Sequence, residues 1–203
     1  MMESQKERSR HGFDRQAGRY DHTSLGAHAR QLHPLLLRQL GQIPHQRVLD
    51  VGCGTGALLD QLARRWPEGR YTGVDLSPRM AEAARQKLGG RADILLGDAE
   101  ALPLPDGRFQ VVVCCDSFHH YPNPQAALGE FYRVLEPGGV LLLADTTAPA
   151  GLRQAVNLFL PLSQSGDVHL YSPGELIRLL SLRFHGVECR RAAATSLLAR
   201  GIR

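Results

Sequence analysis

Three glycines at alternate positions, in Asp50-Val-Gly-Cys-Gly-Thr-Gly56, follow a β-type run and lead into a helical one. Glycine lets a chain turn tightly and brings backbone close to a ligand with no Cβ between them. In an open α/β sheet, such a strand-to-helix loop is where ligands bind. Two ligand classes compete for it. Gly52-x-Gly54-x-x-Ala57 satisfies the dinucleotide pattern, and Asp75, 19 residues after Gly56, suits ribose hydroxyls in either case. Against a dinucleotide, Asp50 sets a carboxylate where a pyrophosphate would arrive. The same carboxylate suits a ligand carrying an ammonium group. Gly97-Asp98-Ala99-Glu100 adds a carboxylate able to accept from an exocyclic amine such as adenine N6. Together these residues describe a nucleoside with a cationic amino-acid tail.

The elements that must position them alternate. Val48–Val51, Tyr71–Val74, Ile94–Leu96, Phe109–Cys115 and Val140–Ala144 read as strands. Between them, apolar residues recur at helical spacing, as in Leu58, Leu59, Leu62 and Ala63, with Ser77-Pro78 and Asn123-Pro124 as helix starts. This alternation calls for a parallel sheet covered on both faces. Further on, Leu152–Leu160 reads as a helix, and Ser172-Pro-Gly-Glu175 is a capping box opening a helix to about Leu182. Gly186–Cys189 and Thr195–Ala199 have no room for a helix between them, so they form an antiparallel hairpin. Upstream, residues 1–24 are polar, and Leu25–Leu40 holds one or two helices interrupted by Pro34.

Composition narrows the rest. The 203 residues are 43% hydrophobic and 22% charged, as in a globular chain. Residues 1–47 hold eight Lys/Arg against four Asp/Glu, residues 48–182 eleven against fifteen, and residues 183–203 five against one. Basic ends around an acidic middle, with few aromatics, do not make the basic stripe of a nucleic-acid binder. The start lacks an apolar signal-peptide core, and no stretch is long and apolar enough to span a membrane. Cys53, Cys114, Cys115 and Cys189 show no metal-ligand spacing and read as reduced thiols in the cytoplasm. Cys114-Cys115 is a conceivable vicinal disulfide, but burial at a strand end favours inert thiols. The nine scattered histidines offer no metal site.

Over about residues 11–203 the chain resembles the class I S-adenosylmethionine-dependent methyltransferases, especially the type 11 branch that includes ubiquinone and menaquinone biosynthesis enzymes. The resemblance rests on Val48–Gly56, Gly73-Val-Asp-Leu-Ser-Pro78, Gly97–Pro103, Phe109–Pro124 and Arg133-Val-Leu-Glu-Pro-Gly-Gly-Val140. Phe13-Asp14 and Tyr20-Asp21 resemble the family's opening segment. It implies a Rossmann-like α/β fold with seven strands, mostly parallel, helices on both faces and the C-terminal hairpin. It implies one domain: an N-terminal helical lid over 1–45, a cofactor core over 46–145, an acceptor-side insertion over 146–171, and a terminal helix and hairpin over 172–203.

The resemblance also assigns roles. Gly52, Cys53, Gly54 and Gly56 would pass under the methionine part of S-adenosylmethionine, with Asp50 near its amino group. Asp75 would hold the ribose, Leu76 would pack on the adenine, and Asp98 would accept from adenine N6 beside Ala99. Cys114 and Cys115 sit where the family's backbone meets the methionine moiety, and Tyr20 would fold over the cofactor. The implied activity is methyl transfer to a small-molecule acceptor by in-line displacement. The alternatives are methylation of RNA or protein, or cofactor binding without transfer. Transfer from a sulfonium depends on positioning and exclusion of water, and needs a base only if the acceptor loses a proton.

Candidate catalytic residues therefore lie beyond strand four, in Asp116-Ser-Phe-His-His-Tyr121. His119 and His120 are candidate bases, although the family often has histidines here for packing. Asp116 stands where many relatives are apolar and is expected to pair with His119 or His120, or to meet a polar acceptor. Gln110 replaces a frequent acidic residue with a small expected effect. Asp145-Thr-Thr147, His22, His28, His169 and Tyr171 are weaker acceptor-side candidates. The sequence sets neither the acceptor nor the oligomeric state.

Overall fold

The computed structural model describes residues 4–160 and 166–203. Seven strands form one sheet: β1 (Arg47–Val51), β2 (Arg70–Asp75), β3 (Asp93–Leu96), β4 (Phe109–Cys115), β5 (Leu135–Thr146), β6 (His185–Ala193) and β7 (Ser196–Ile202). Their order is β3-β2-β1-β4-β5-β7-β6. The first five pair in parallel, and β7 runs antiparallel between β5 and β6. The expected α/β sheet with its terminal hairpin is present.

The described helices are α1 (Gln5–Gln16), α2 (Ser24–Leu40), α3 (Ala57–Arg65), α4 (Pro78–Leu88), α5 (Pro124–Val134), α6 (Ala150–Phe159) and α7 (Pro173–Leu180). Side chains alternate along each central strand and so feed two cores. Val48, Val111, Val113 and Cys115 pack with Leu32, Leu36 and Leu40 of α2 and with α3 and α4. Leu49, Val112, Cys114 and Leu141 pack with α5 and α7 on the other face. Cys114 and Cys115 therefore point to opposite faces, and all four cysteines are free thiols.

The structure sharpens the sequence reading at one place and corrects it at two. Residues 5–16 are helical: the Ser4 hydroxyl accepts from Glu7 N–H while Glu7 accepts from Ser4 N–H, a capping box that starts α1. Pro34 does not interrupt α2, because Leu32, His33, Leu36 and Leu40 bury one continuous face around it. β5 begins already at Leu135, with the expected glycine turn carried as a bulge between the pairs Phe109–Leu135 and Val111–Val140.

The two edges of the sheet are β3, only four residues long, and β6, which carries Glu188, Arg190 and Arg191. Among the described residues no helix is long and apolar enough to cross a membrane. Part of the 146–171 insertion, residues 161–165, lies outside the described residues.

Candidate functional site

The sheet order reverses between β1 and β4, and the loop after β1 opens at that switch point. Gly52, Gly54 and Gly56 have φ of 74°, 54° and 74°, a left-handed conformation that side chains resist. Their tasks differ. A Cβ on Gly52 would stand 2.0 Å from Ser117 Oγ, so this glycine seats the loop against the segment leaving β4. A Cβ on Gly54 would meet nothing within 4 Å, and this glycine lines an open cavity. A Cβ on Gly56 would press 2.9 Å from Leu88 Cδ1, so Gly56 serves the packing of α4.

Carboxylates ring the cavity. Asp50 is 1% exposed and its Oδ1 has no hydrogen-bond partner. Burial, with the charge of Asp75 added, pushes its carboxyl up to about 7. Asp75 accepts from Gly54 N–H and Ser77 N–H, each at 2.8 Å. Burial outweighs those bonds and raises its carboxyl to about 6. Leu76, Ala99 and Cys53 line the same space. Asp98 lines it too, but its Oδ2 accepts from Lys6 Nζ at 2.6 Å.

That contact belongs to a cover formed by the segment expected as a lid, whose contacts the sequence reading did not name. Lys6 also reaches Glu100 at 2.7 Å, and Asp14 of α1 accepts from Ser77 Oγ at 2.5 Å. Past α1, Asp21 accepts from Thr55 Oγ1 at 2.7 Å and Lys87 Nζ at 2.5 Å. Tyr20 lines the cavity beside Phe13, ring centroids 5.9 Å apart, and burial holds its hydroxyl protonated well above the usual range. The local signal for this cover was Ser4-x-x-Glu7, a helix start without an apolar stripe behind it.

At the other end, the residues after β4 separate. Asp116 lines the cavity, but the expected pairing with His119 or His120 is corrected: its Oδ2 accepts from His28 Nδ1 of α2, 2.8 Å away. The hydrogen bond to Asp116 raises the pKa of His28. His119 is held instead by Asp145, whose Oδ1 lies 2.6 Å from its Nδ1 and whose Oδ2 accepts its N–H at 2.9 Å. Burial alone would lower the pKa of His119, but the Asp145 charge and hydrogen bond raise it. His120 lines the cavity with its ring edge-on to Phe13, and burial together with the His119 charge lowers its pKa. Its Nδ1 lies 3.1 Å from Asp167 Oδ1. The ring nitrogens of His119 and His120 and the carboxylate of Asp167 stand within reach of one ion, as do Asp116, His119 and Asp145. Both sets share His119, which Asp145 already engages.

Three expected site residues are off the cavity wall. Gly56 faces α4, Cys114 faces the α5 and α7 core, and His119 is turned to Asp145. Of the weaker candidates, His28 joins the site through Asp116, while Tyr171 is buried against Phe118 and Thr147 donates to the Tyr171 carbonyl. His169 lies near Glu175, Nε2 to Oε1 3.3 Å. Gln110 accepts from Arg47 N–H at 3.2 Å, a contact between strand starts.

The model of a methyltransferase domain matches residues 49–143, which hold the glycine loop and Asp50, Asp75, Asp98 and Asp116. These residues are a type 11 methyltransferase domain, and the chain's curated relatives are class I S-adenosylmethionine-dependent methyltransferases of that branch. It is 37% identical over 166 residues to a malonyl-[acyl-carrier protein] O-methyltransferase of Serratia marcescens, covering 75% of this chain and 62% of that one. It is 38% identical over 144 residues to a demethylmenaquinone methyltransferase of Thermus thermophilus, covering 68% and 65%. The chain thus spans a little under two thirds of the length of these relatives. In fold it is similar to a chain of the complex between the Haloferax volcanii Trm112 methyltransferase activator and a methyltransferase, with TM-score 0.78 and 23% identity over 96% of each chain.

Methyltransferases of this class bind S-adenosylmethionine, and the residues present fit it. The unpartnered Asp50 Oδ1 offers an acceptor for an ammonium group, and the open side of Gly54 leaves room for backbone to approach a ligand. Asp75 and Leu76 stand beside them for a nucleoside.

Proposed function

We propose that this methyltransferase-family chain transfers the methyl group of S-adenosylmethionine to a small-molecule acceptor. The observation that carries the reading is the buried Asp50 oxygen without a partner, set at a left-handed glycine loop in the same cavity as Asp116. S-adenosylmethionine supplies, when bound, a methyl group already activated on a sulfonium. The chain's own residues then have positioning work to do. Asp50 would hold the amino group and Asp75 the ribose, with Gly52, Cys53 and Gly54 beneath and Leu76 and Ala99 beside the base. Cys115 and Tyr20 close the wall, and Lys6, released from Asp98, frees that carboxylate for an exocyclic amine.

Asp116 and His120 are the proposed acceptor-side residues, and His119 is a positioning residue that fixes the turn through Asp145. α1 and the first half of α2 act as the lid that excludes water. On this reading residues 1–203 work as one domain, since α2 contributes Leu32, Leu36 and Leu40 to the sheet's own core. The four free thiols suit a reducing compartment such as the cytoplasm.

Isothermal titration against S-adenosylhomocysteine and NAD tests the cofactor, with binding of the first alone expected. Label transfer from methyl-labelled S-adenosylmethionine to a metabolite extract, compared with total RNA, tests the acceptor class. Product formed only on RNA would overturn the small-molecule reading.

A further inference from the structure

Asp116 is the one non-glycine residue with positive φ among those described, at 52°. Asp tolerates this region better than most residues, but the conformation persists only where its surroundings hold it. Here Asp116 N–H still donates to Ala144 O at 2.8 Å, while the side chain turns to His28. One oxygen, Oδ2, is satisfied by His28 Nδ1. The other, Oδ1, is buried and has no partner, although the residue stands on the cavity wall. A buried acceptor left unmade is costly, and more so for a charged group. A ligand that brings a donor removes that cost.

The rest of the wall sets the sign of the ligand. Asp21, Asp50, Asp75, Asp98, Glu100 and Asp116 line it, against Lys6 and Arg30. Lys6 is bound to Asp98 and Glu100, and the charge of Arg30 is felt at Asp21 and His33. An anionic acceptor brought to Asp116 would meet a carboxylate oxygen with no cation paired to that oxygen. Phe13, Tyr20 and His120 give the neighbouring wall an aromatic character, with His120 and Phe13 edge-on at 5.1 Å.

Resting on the methyl-transfer reading, we propose that the Asp116–His28 pair forms an acceptor subsite for a hydroxyl or amine on an apolar frame, and that it rejects carboxylates. Asp116 Oδ1 receives the acceptor's O–H or N–H. During transfer the acceptor's lone pair forms the new bond to the methyl carbon, and the carbon–sulfur bond pair stays on sulfur, leaving a neutral thioether. The acceptor's proton passes to Asp116 Oδ1 and from there to solvent. His28 does not touch the acceptor; it is a positioning residue that keeps Oδ2 occupied and Oδ1 aimed.

The test uses the whole chain saturated with S-adenosylhomocysteine and four probes on one aromatic ring: a phenol, an aniline, a benzoate and a methyl ether. Binding is read by ligand-observed NMR, so turnover is not needed. The phenol and aniline should bind at least tenfold tighter than the benzoate and the ether. Asp116→Asn, whose amide can turn an N–H toward a carboxylate, should shrink the phenol-to-benzoate ratio at least fivefold while the affinity for S-adenosylhomocysteine changes less than twofold. His28→Ala should weaken phenol binding, and His28→Gln, which keeps a donor for Oδ2, should restore most of it. Equal or tighter benzoate binding, the absence of any phenol preference, or an unchanged ratio in Asp116→Asn each overturns the subsite. Failure of S-adenosylhomocysteine to bind the wild-type chain would instead overturn the methyl-transfer reading itself.

Discussion

The two ends of the cavity are built by different means. The end formed by β1, β2 and β3 relies on backbone: left-handed glycines, two amide N–H groups gripping Asp75, and carboxylates directly at strand ends. The end formed by β4 and β5 relies on side chains brought from afar. His28 and Asp116 are 88 positions apart, and His119 and Asp145 are 26 apart. A backbone cradle suits one kind of ligand, whatever stands at the other end of the cavity. A side-chain pocket can be respecified by a few substitutions without disturbing it.

If that contrast is right, damage at the acceptor end should fall on stability and selectivity, and damage at the glycine loop on cofactor affinity. The largest expected effect is His119→Ala. It leaves Asp145, 1% exposed, without its imidazole partner. Breaking such a buried pair typically costs about 3–5 kcal/mol. Urea denaturation should show that loss, while the folded fraction still binds S-adenosylhomocysteine. A stability loss below about 1 kcal/mol would mean that the pair does not organise this end.

Next comes Gly52→Ala. The new methyl would need to displace Ser117 Oγ, 2.0 Å away, in a backbone at φ 74°. A roughly 100-fold drop in cofactor affinity is expected, about 2.7 kcal/mol. Gly54→Ala has no such neighbour and should lose less by titration calorimetry, which separates seating the loop from lining the cavity.

The smallest effect expected is that of Asp50→Asn, about tenfold in cofactor affinity, or ~1.4 kcal/mol. Its pH signature is more telling. The wild-type carboxyl is raised from 3.8 to about 7 in the cofactor-free chain, so cofactor binding should weaken as pH falls below about 7 and release a proton there. For stability the sign runs the other way. A carboxyl whose folded pKa is raised costs the folded state as pH climbs from 3.8 through about 7. Asp50→Asn should therefore raise the Tm of the cofactor-free chain at pH 8 by at least about 2 °C. An unchanged Tm at pH 8, or flat cofactor affinity between pH 6 and 8 in the wild type, would remove Asp50 from the site.

The same contrast explains what could be read from the sequence. Strand-end motifs such as Asp50–Gly56 and Asp75–Pro78 carry their geometry locally, because a left-handed turn demands glycine wherever it stands. The sheet was legible for a like reason: apolar runs and helix caps are short-range signals. Asp116 was legible as an oddity, yet its partner was not, since nothing near residue 116 points to residue 28. The two adjacent histidines were equal candidates in sequence, and only the fold separates them, turning His119 to Asp145 and leaving His120 on the cavity wall. The bounds of α1 escaped because it lacks an apolar stripe; it is held by its capping box and by Lys6 and Asp14 reaching across to the strand ends. The packing role of Gly56 was hidden because a glycine that accommodates a neighbouring helix looks, in sequence, like one that accommodates a ligand.

The edges of the sheet bear on how concentrated this protein can become. An open sheet ends in unpaired amide and carbonyl groups, which invite strands of other molecules to add on. One rim here is cut to the four residues of β3, and the other is the hairpin strand β6, bent by two register shifts and studded with Glu188, Arg190 and Arg191. A strand docking there would have to bury charge against charge along a kinked ladder. The terminal hairpin thus gives the sheet a colloidal guard, resisting stacking into fibres while leaving the ligand end at the strand tips free.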